Sequence, residues 1–483
     1  MKCYSGIGFR PYTRLTETEK KNAPYICRLA PGKNFIELEW IDNGGENGET
    51  YRVFYRRRLT DFPFNFVETT KYTAILPDLE EQKDYEFYVE RLSSGARSDL
   101  RLARTGEVPG VVINYLHPSD PIYDFSGRSL CSPSLVKLPS GALLACMDVF
   151  SGGAPQNLSL VFRSDDGGES WRYVTDLFPC FWGKLFVHKG ILYLMANTTE
   201  YGNLYIAKSS DEGKTWSDPV TLLPGASSSQ EAGPHKAPMP VILAPNNRLY
   251  TGVDYGAWKK GGHANGLLSI DADADLMCAE NWSCTGFTAF DRAWDTGIQW
   301  ESGPGVREPS GLEGNAVVGP DGGIYDFLRL QMNGNTTAYG KALILKGDLE
   351  DPEAPLTYYG VADFNGGSNS KFDLLYDEKS HMYWSVASEI VYAAQPNART
   401  VMSLACSSDM IHFKIVKRLL DYRDADKDFV GFQYVSMAID GDDLIYQCRT
   451  SLNGARNFHD ANYATFHRIK DFRSYTEEVA AEK

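Results

Sequence analysis

Short runs of alternating apolar and polar residues fill this chain, and from residue 109 onward they come in pairs. Residues 134–138 (SLVKL), a turn at 139–141 (PSG) and 142–145 (ALLA) make the first pair. The figure returns at 185–194, 240–250, 316–325, 372–384 and 435–446, each time around a turn such as HKG, PNN, PDG, EKS or DGD. Period-two alternation around Gly-, Pro- or Asp-rich turns predicts β-hairpins. Six hairpins recur, roughly fifty to seventy-five residues apart, each followed by more strand material; this predicts six four-stranded units. The last unit is one strand short, and the β-prone run 111–115 (VVINY) is expected to complete it and close a ring.

Residues 20–107 read differently. Ile36, Leu38 and Trp40 alternate, as do Tyr51, Val53 and Tyr55, then Tyr85, Phe87 and Val89. Leu79 followed by Tyr85 predicts a tyrosine corner, in which the phenol bonds to upstream backbone. The stretch resembles a fibronectin type III domain, which implies a β-sandwich serving as spacer or docking surface. Residues 108–110 (VPG) read as the linker.

Two octapeptides follow strand-like runs. Residues 164–171 (SDDGGESW) and 209–216 (SSDEGKTW) both read S-x-D-x-G-x-[ST]-W. Ser164, Asp166, Ser209 and Asp211 can bond turn amides, Gly168 and Gly213 supply backbone freedom, and Trp171 and Trp216 pack between strands. The motif resembles the Asp-box of the sialidases. That implies an all-β chain, with a six-bladed β-propeller over 111–483 behind the sandwich, and a structural role for these eight residues.

The residues opening each hairpin are unusually polar: Cys131 and Ser132, Trp182, His235, Glu313, Lys371, and Gln433 with Tyr434. Inner strands deliver such positions to one axial pocket. Here the sialidase resemblance becomes specific. Glu313 opens a strand and Arg329 ends its partner; Arg399 precedes a degenerate Asp-box at Ser407; Tyr434 falls at the nucleophile's place. The resemblance implies Tyr434 as nucleophile, Glu313 as its base, and Arg329 and Arg399 as holders of a substrate carboxylate. The chemistry is coherent, because a phenol titrates near pH ~10 and needs a base. Two positions depart from the family. Cys131 stands where it has its first arginine, with Arg128 the nearest substitute. Residues 152–158 (GGAPQNL) lack its acid, and Asp148 is the best alternative. In the last unit, Arg449 and His459 belong to a dense polar set. His459 reads either as part of a hydrogen-bond network or as an acid/base. Trp182 reads either as a sugar platform or as core, and His235 is equally open.

The formal charge of −15 argues against nucleic acid and anionic membranes as partners, and 13 % aromatics suit all-β packing and sugar-stacking surfaces of a carbohydrate-binding site equally. No apolar run is long enough to insert in a membrane. Nine scattered cysteines predict free thiols, and neither metal nor cofactor is expected. Residues 1–10 have no apolar leader core, which predicts a cytoplasmic protein if Met1 is the native start and a secreted or surface-attached one if a leader has been removed. The resulting expectation is an exo-acting glycoside hydrolase of sialidase-like type. The alternatives are a polysaccharide lyase acting on uronic acids in the same pocket, or a propeller that binds carbohydrate without turnover.

Overall fold

The computed structural model describes residues 22–476, apart from 47, 227–230, 301–308, 332–339, 365–369 and 393. The expected outer limits at 20 and 483 lie outside the described residues. The described chain is built almost wholly of antiparallel strands. Every cysteine among the described residues is a free thiol.

Two sheets come first. Tyr25–Pro31, Ile36–Ile41 and Thr73–Leu76 form one; Asn65–Thr69, Tyr51–Arg57, Asp84–Arg91 and Arg101–Arg104 form the other. Their alternating apolar positions meet face to face. Leu38, Trp40, Tyr51, Val53, Phe87 and Val89 share one buried core. The Tyr85 phenol accepts the Glu80 amide at 2.9 Å, the return bond expected from the sequence. Buried polar groups tie the sandwich to the rest of the chain. Arg28 donates from Nε to the Ile113 carbonyl at 2.8 Å, and Arg101 pairs with Asp120 at 2.7 Å with both side chains buried.

Six further sheets close on themselves. Their first two strands are Ser129–Lys137 and Leu143–Phe150; Phe181–His188 and Ile191–Asn197; Gly233–His235 with Ile242–Leu243, and Arg248–Ala257; Ser310–Val318 and Ile324–Gln331; Asp373–Asp377 and Met382–Ser388; and Gly431–Asp440 and Asp443–Ser451. We number these sheets one to six. In sheet six the last strand is Val111–Tyr115, paired with Tyr463–Ile469, as the sequence predicts. The expected hairpin at 240–250 is present, but the first strand of sheet three is split, and Pro238 and Pro240 stand in the gap. A proline gives no ladder donor, so pairing lapses there.

Each sheet packs on the next through an apolar cluster. Leu144 and Leu185 join sheets one and two, Met195 and Val253 two and three, and Tyr250 and Leu328 three and four. Phe327 and Leu374 join four and five, Trp384 and Tyr446 five and six, and Phe466 and Phe162 six and one. Six clusters between six sheets make a closed ring with no free sheet face inside it, the arrangement of a β-propeller.

The two octapeptide turns serve that packing. Ser164 Oγ accepts the Gly168 amide at 2.8 Å, Asp166 accepts the Ser170 amide at 2.9 Å, and Trp171 Nε1 donates to the Gly168 carbonyl at 3.2 Å. Ser209, Asp211, Gly213 and Trp216 repeat these bonds. Trp171 also meets Phe466 of sheet six at 5.6 Å between ring centroids.

Gly168 is closely packed where sheets one and six meet. Its φ is +101°, and an added Cβ would stand 2.0 Å from the Phe466 ring. Gly168→Ala is expected to cost about 2–4 kcal/mol through overpacking and backbone strain. Gly141→Ala, at φ +91° with open space around it, should cost only the backbone part. Thermal or denaturant unfolding of the two variants checks the difference.

Candidate active site

The first strand of each of four sheets is broken by a bulge. The pairing register slips at Ser132, Trp182, Glu313 and Tyr434. These residues have φ of 48°, 55°, 54° and 49°, in the left-handed region that non-glycine residues avoid. Such a conformation costs about 1–3 kcal/mol per residue and persists only when its surroundings hold it. A bulge re-aims a side chain, and all four of these residues line one cavity at the ring axis. The neighbouring sheet supplies the hold. The Trp182 amide donates to Asp148 Oδ2 at 2.7 Å, and the Glu313 amide donates to Asp254 Oδ2 at 2.8 Å.

The cavity has a volume of about 420 Å³. Against its lining residues Glu313 and Tyr434, Arg329 Nη1 lies 3.0 Å from Glu313 Oε2 and 3.0 Å from the Tyr434 phenol oxygen. The guanidinium carbons of Arg399 and Arg449 lie 5.6 and 5.0 Å from the centre of the Tyr434 ring. Three cations from sheets four, five and six thus surround one phenol and one carboxylate. Gln433 is buried behind them; its Oε1 accepts from Arg399 and its Nε2 donates to the Phe458 carbonyl at 2.6 Å. Arg449 donates to the His459 carbonyl at 2.5 Å, and His459 Nδ1 lies 2.9 Å from Asp460 Oδ1.

Charge states reflect these neighbours. Burial pushes the Tyr434 phenol above its ordinary value, Glu313 adds to the rise, and the three arginines oppose it. Burial alone would raise Glu313 as well, but Arg329, with His235 and Lys371 behind it, holds it below the usual carboxylate range. Burial, together with repulsion from Arg329 and Arg449, pushes Arg399 down to about 9. A pocket that strains an arginine charge has a surplus of positive charge for an anion to neutralise. His459 is pushed down to about 4, first by burial and then by Arg449, so its ring is neutral at pH 7.

Eight residues singled out from the sequence therefore meet in one place: Tyr434, Glu313, Arg329, Arg399, Arg449, Trp182, His235 and His459. Trp182 and His235 sit against each other with ring centroids 4.1 Å apart. Four others are placed elsewhere. Arg128 is exposed and forms a two-pronged pair with Asp124 at 2.6 and 2.7 Å, so it does not reach the cavity. Asp148 is fully buried and committed to the Trp182 amide and the Ser159 hydroxyl. Burial lifts it to about 7, a value that suits an acid, but a substrate has no access to it. Lys371 is buried against Asp373 at 2.5 Å. Gln433 orients Arg399 without lining the cavity.

One carboxylate escaped the sequence reading. Glu200 follows the second strand of sheet two and lines the cavity. Burial raises its pKa, against the opposing effects of His235 and of Gln156. Gln156 belongs to the 152–158 segment that lacks a carboxylate, and its amide is 3.5 Å from Glu200 Oε2. The one sequence signal for Glu200 is its position just beyond a hairpin strand, where many loop residues stand.

No protein-family model matches the chain, and no curated protein matches it. Solved structures similar to it include a Hadza microbial sialidase, at 13 % identity and TM-score 0.47 over 92 % of this chain and 94 % of that one. A Penicillium chrysogenum alpha-L-arabinanase complexed with arabinobiose shares 14 % identity at TM-score 0.49, over 76 % and 98 %. A polysaccharide lyase of the PL25 ulvan lyase family shares 9 % at TM-score 0.43, over 92 % and 95 %. Likeness at this level carries nothing about activity, and the architecture rests on the strand pairing described above.

Asp254 anchors the site from outside the cavity. It takes the Glu313 amide at 2.8 Å, Asn265 Nδ2 at 2.8 Å and His235 Nδ1 at 3.1 Å. Asp254→Ala leaves all three buried without that acceptor and is expected to cost about 3 kcal/mol. The measurement is the shift in unfolding midpoint relative to wild type.

Proposed function

We propose that this chain is an exo-acting, retaining glycoside hydrolase that removes an acidic sugar from the end of a glycan. The observation that carries the proposal is Arg329 Nη1 shared between the Tyr434 phenol and Glu313, with Arg399 and Arg449 beside the same ring. In this reading the three guanidinium groups hold the substrate carboxylate. The sequence lacks an arginine at position 131, and Arg449 of sheet six lines the same cavity as Cys131. The Tyr434 oxygen attacks the anomeric carbon as its proton passes to Glu313. The bond to the leaving oxygen breaks, and that oxygen takes a proton from Glu200. Water, deprotonated by Glu200, then attacks the same carbon and releases Tyr434, which recovers its proton from Glu313. A phenol suits this substrate because a carboxylate nucleophile would repel the sugar's own carboxylate. Glu200 replaces Asp148 as the acid because it faces the cavity. The N-terminal sandwich, residues 20–107, fits a fibronectin type III-like spacer, since its two sheets have the strand grouping of that fold and its tyrosine-corner bond.

A second reading draws on the two histidines of the cavity wall. Neutral His459 could take a proton from a uronic acid whose carboxylate is held by the arginines, giving elimination instead of hydrolysis. The products separate the readings: elimination leaves an unsaturated uronate that absorbs in the near ultraviolet, and the hydrolase reading expects no such absorbance.

Three outcomes are expected on a hydrolysable acidic glycoside. Tyr434→Phe and Glu313→Gln each lower kcat roughly 10³-fold or more with unfolding midpoints near wild type; full activity in either variant would reject the couple. Glu200→Gln slows substrates with poor leaving groups far more than activated aryl glycosides. The rate falls as pH drops through the depressed Glu313 pKa, where the base is protonated. It falls again as pH rises through the elevated Glu200 pKa, where the acid loses its proton. Glu200→Gln should abolish the second fall, and a kcat/KM pH profile checks it.

A further inference from the structure

One layer deeper along the axis, the inner strands converge on three lysines. Lys184 stands two residues after Trp182, Lys236 directly follows His235, and Lys371 precedes the first strand of sheet five. Their exposures are 5 %, 0 % and 0 %. Lys371 is matched: it donates to Asp373 Oδ1 at 2.5 Å and to the Val435 carbonyl at 2.6 Å. The other two are not. Lys184 reaches across the axis to Ser436 Oγ at 3.4 Å, a hydroxyl that already accepts the Leu135 amide at 3.0 Å. Lys236 donates to the Ala237 carbonyl at 3.0 Å. An ammonium has three N–H donors. Among the described residues each of these two lysines has that one acceptor and no ion pair.

We propose that a monatomic anion of the halide class binds on the axis between the ammonium groups of Lys184 and Lys236. Two buried ammonium groups with unfilled donors, close enough to repel one another, are strongly unfavourable without a counter-charge in contact with them. The acids that act on these lysines make no bond to either of them: Asp254 is taken by His235 and the Glu313 amide, Asp373 by Lys371 and the Met437 amide, and Asp326 feels Lys236 without bonding it. Asp326 is fully buried, neither of its carboxylate oxygens has a hydrogen-bond partner, and burial raises its pKa well above the ordinary range. Burial pushes Lys184 down to about 8 and Lys236 to about 7; Lys184 and Lys371 add to the effect on Lys236, and Asp373 opposes it in both lysines, joined by Asp254 at Lys236, without cancelling it. An anion accepting from both Nζ atoms would reverse both effects. A monatomic ion can accept from both Nζ atoms without bringing further polar atoms that would need buried partners of their own, as phosphate and carboxylates would. The site is distinct from the arginine-lined cavity and does not depend on the glycosidase reading.

The test uses the full chain crystallised in sodium bromide, with data collected at the bromine edge. An anomalous peak is expected on the axis within contact of Lys184 Nζ and Lys236 Nζ. Its absence, in a map that shows bromide elsewhere, overturns the proposal. In solution, bromide is compared with gluconate at equal ionic strength. The arginines also attract halide, so the quantity read is the difference between wild type and Lys184→Met or Lys236→Met. At about a hundredfold excess over Kd the wild type should gain about 2–4 °C more in Tm than either variant. Equal gains in wild type and variants overturn the proposal. If neither variant folds, the wild-type anomalous map decides alone.

Discussion

The site exists because four inner-strand residues are held in left-handed backbone that they would not adopt alone. Ser132, Trp182, Glu313 and Tyr434 each sit at a register slip, and each turns towards the axis there. For Trp182 and Glu313, the amide freed by the bulge is caught by a carboxylate of the preceding sheet. The side chain that faces the cavity in one blade is therefore fixed by its neighbour. A closed ring helps to hold such strain, because no sheet can turn away and release it. The apolar clusters between sheets, down to the contact of Gly168 with Phe466, are in this sense part of the site.

The hairpins were legible because alternation and turn chemistry are local. So was the polar opening of each inner strand, and the bulges account for it: a residue turned towards a wet axis does not need to be apolar. Tyr434, Glu313, Arg329 and Arg399 could be picked out because their order and spacing resemble those of the sialidases. The split strand of sheet three was only half legible, because Pro238 and Pro240 hide the piece at Gly233–His235. Glu200 was not legible, since a loop carboxylate shows no periodicity and the groups that act on it, His235 and Gln156, lie more than thirty residues away in sequence. Arg128 is near Cys131 in sequence but not near the pocket, because Asp124, four residues earlier, holds it at the surface.

The electrostatics run against the bulk composition. A chain of formal charge −15 gathers Arg329, Arg399 and Arg449 around its cavity and Lys184, Lys236 and Lys371 one layer below. Net charge governs solubility and long-range encounter, while a cleft walled by low-dielectric protein sets its own potential. The acidic surface does not forbid an acidic ligand. It means that such a ligand must be drawn in by the axis at short range, so its binding should depend on the buried arginines more than on the surface.

The position opposite the start of each inner strand shows how side-chain length divides structural from chemical duty. Pairing sets Asp148 against Cys131, Asn197 against Phe181, Asp254 against His235, Arg329 against Leu312 and Arg449 against Gln433. The short side chains bond to the next sheet: Asp148 to the Trp182 amide, Asn197 to the Pro234 carbonyl, Asp254 to the Glu313 amide. Ser388 does the same for sheet five by donating to the Phe432 carbonyl at 2.6 Å. The two arginines are too long for that bond and extend to Tyr434 instead. Asp148 fails as an acid for this reason: its carboxyl ends where the neighbouring backbone begins. By the same rule a guanidinium missing from the first strand of one sheet can be supplied from the second strand of another. The axis brings these positions to the same depth, and the cavity registers which groups arrive, not which strand carries them.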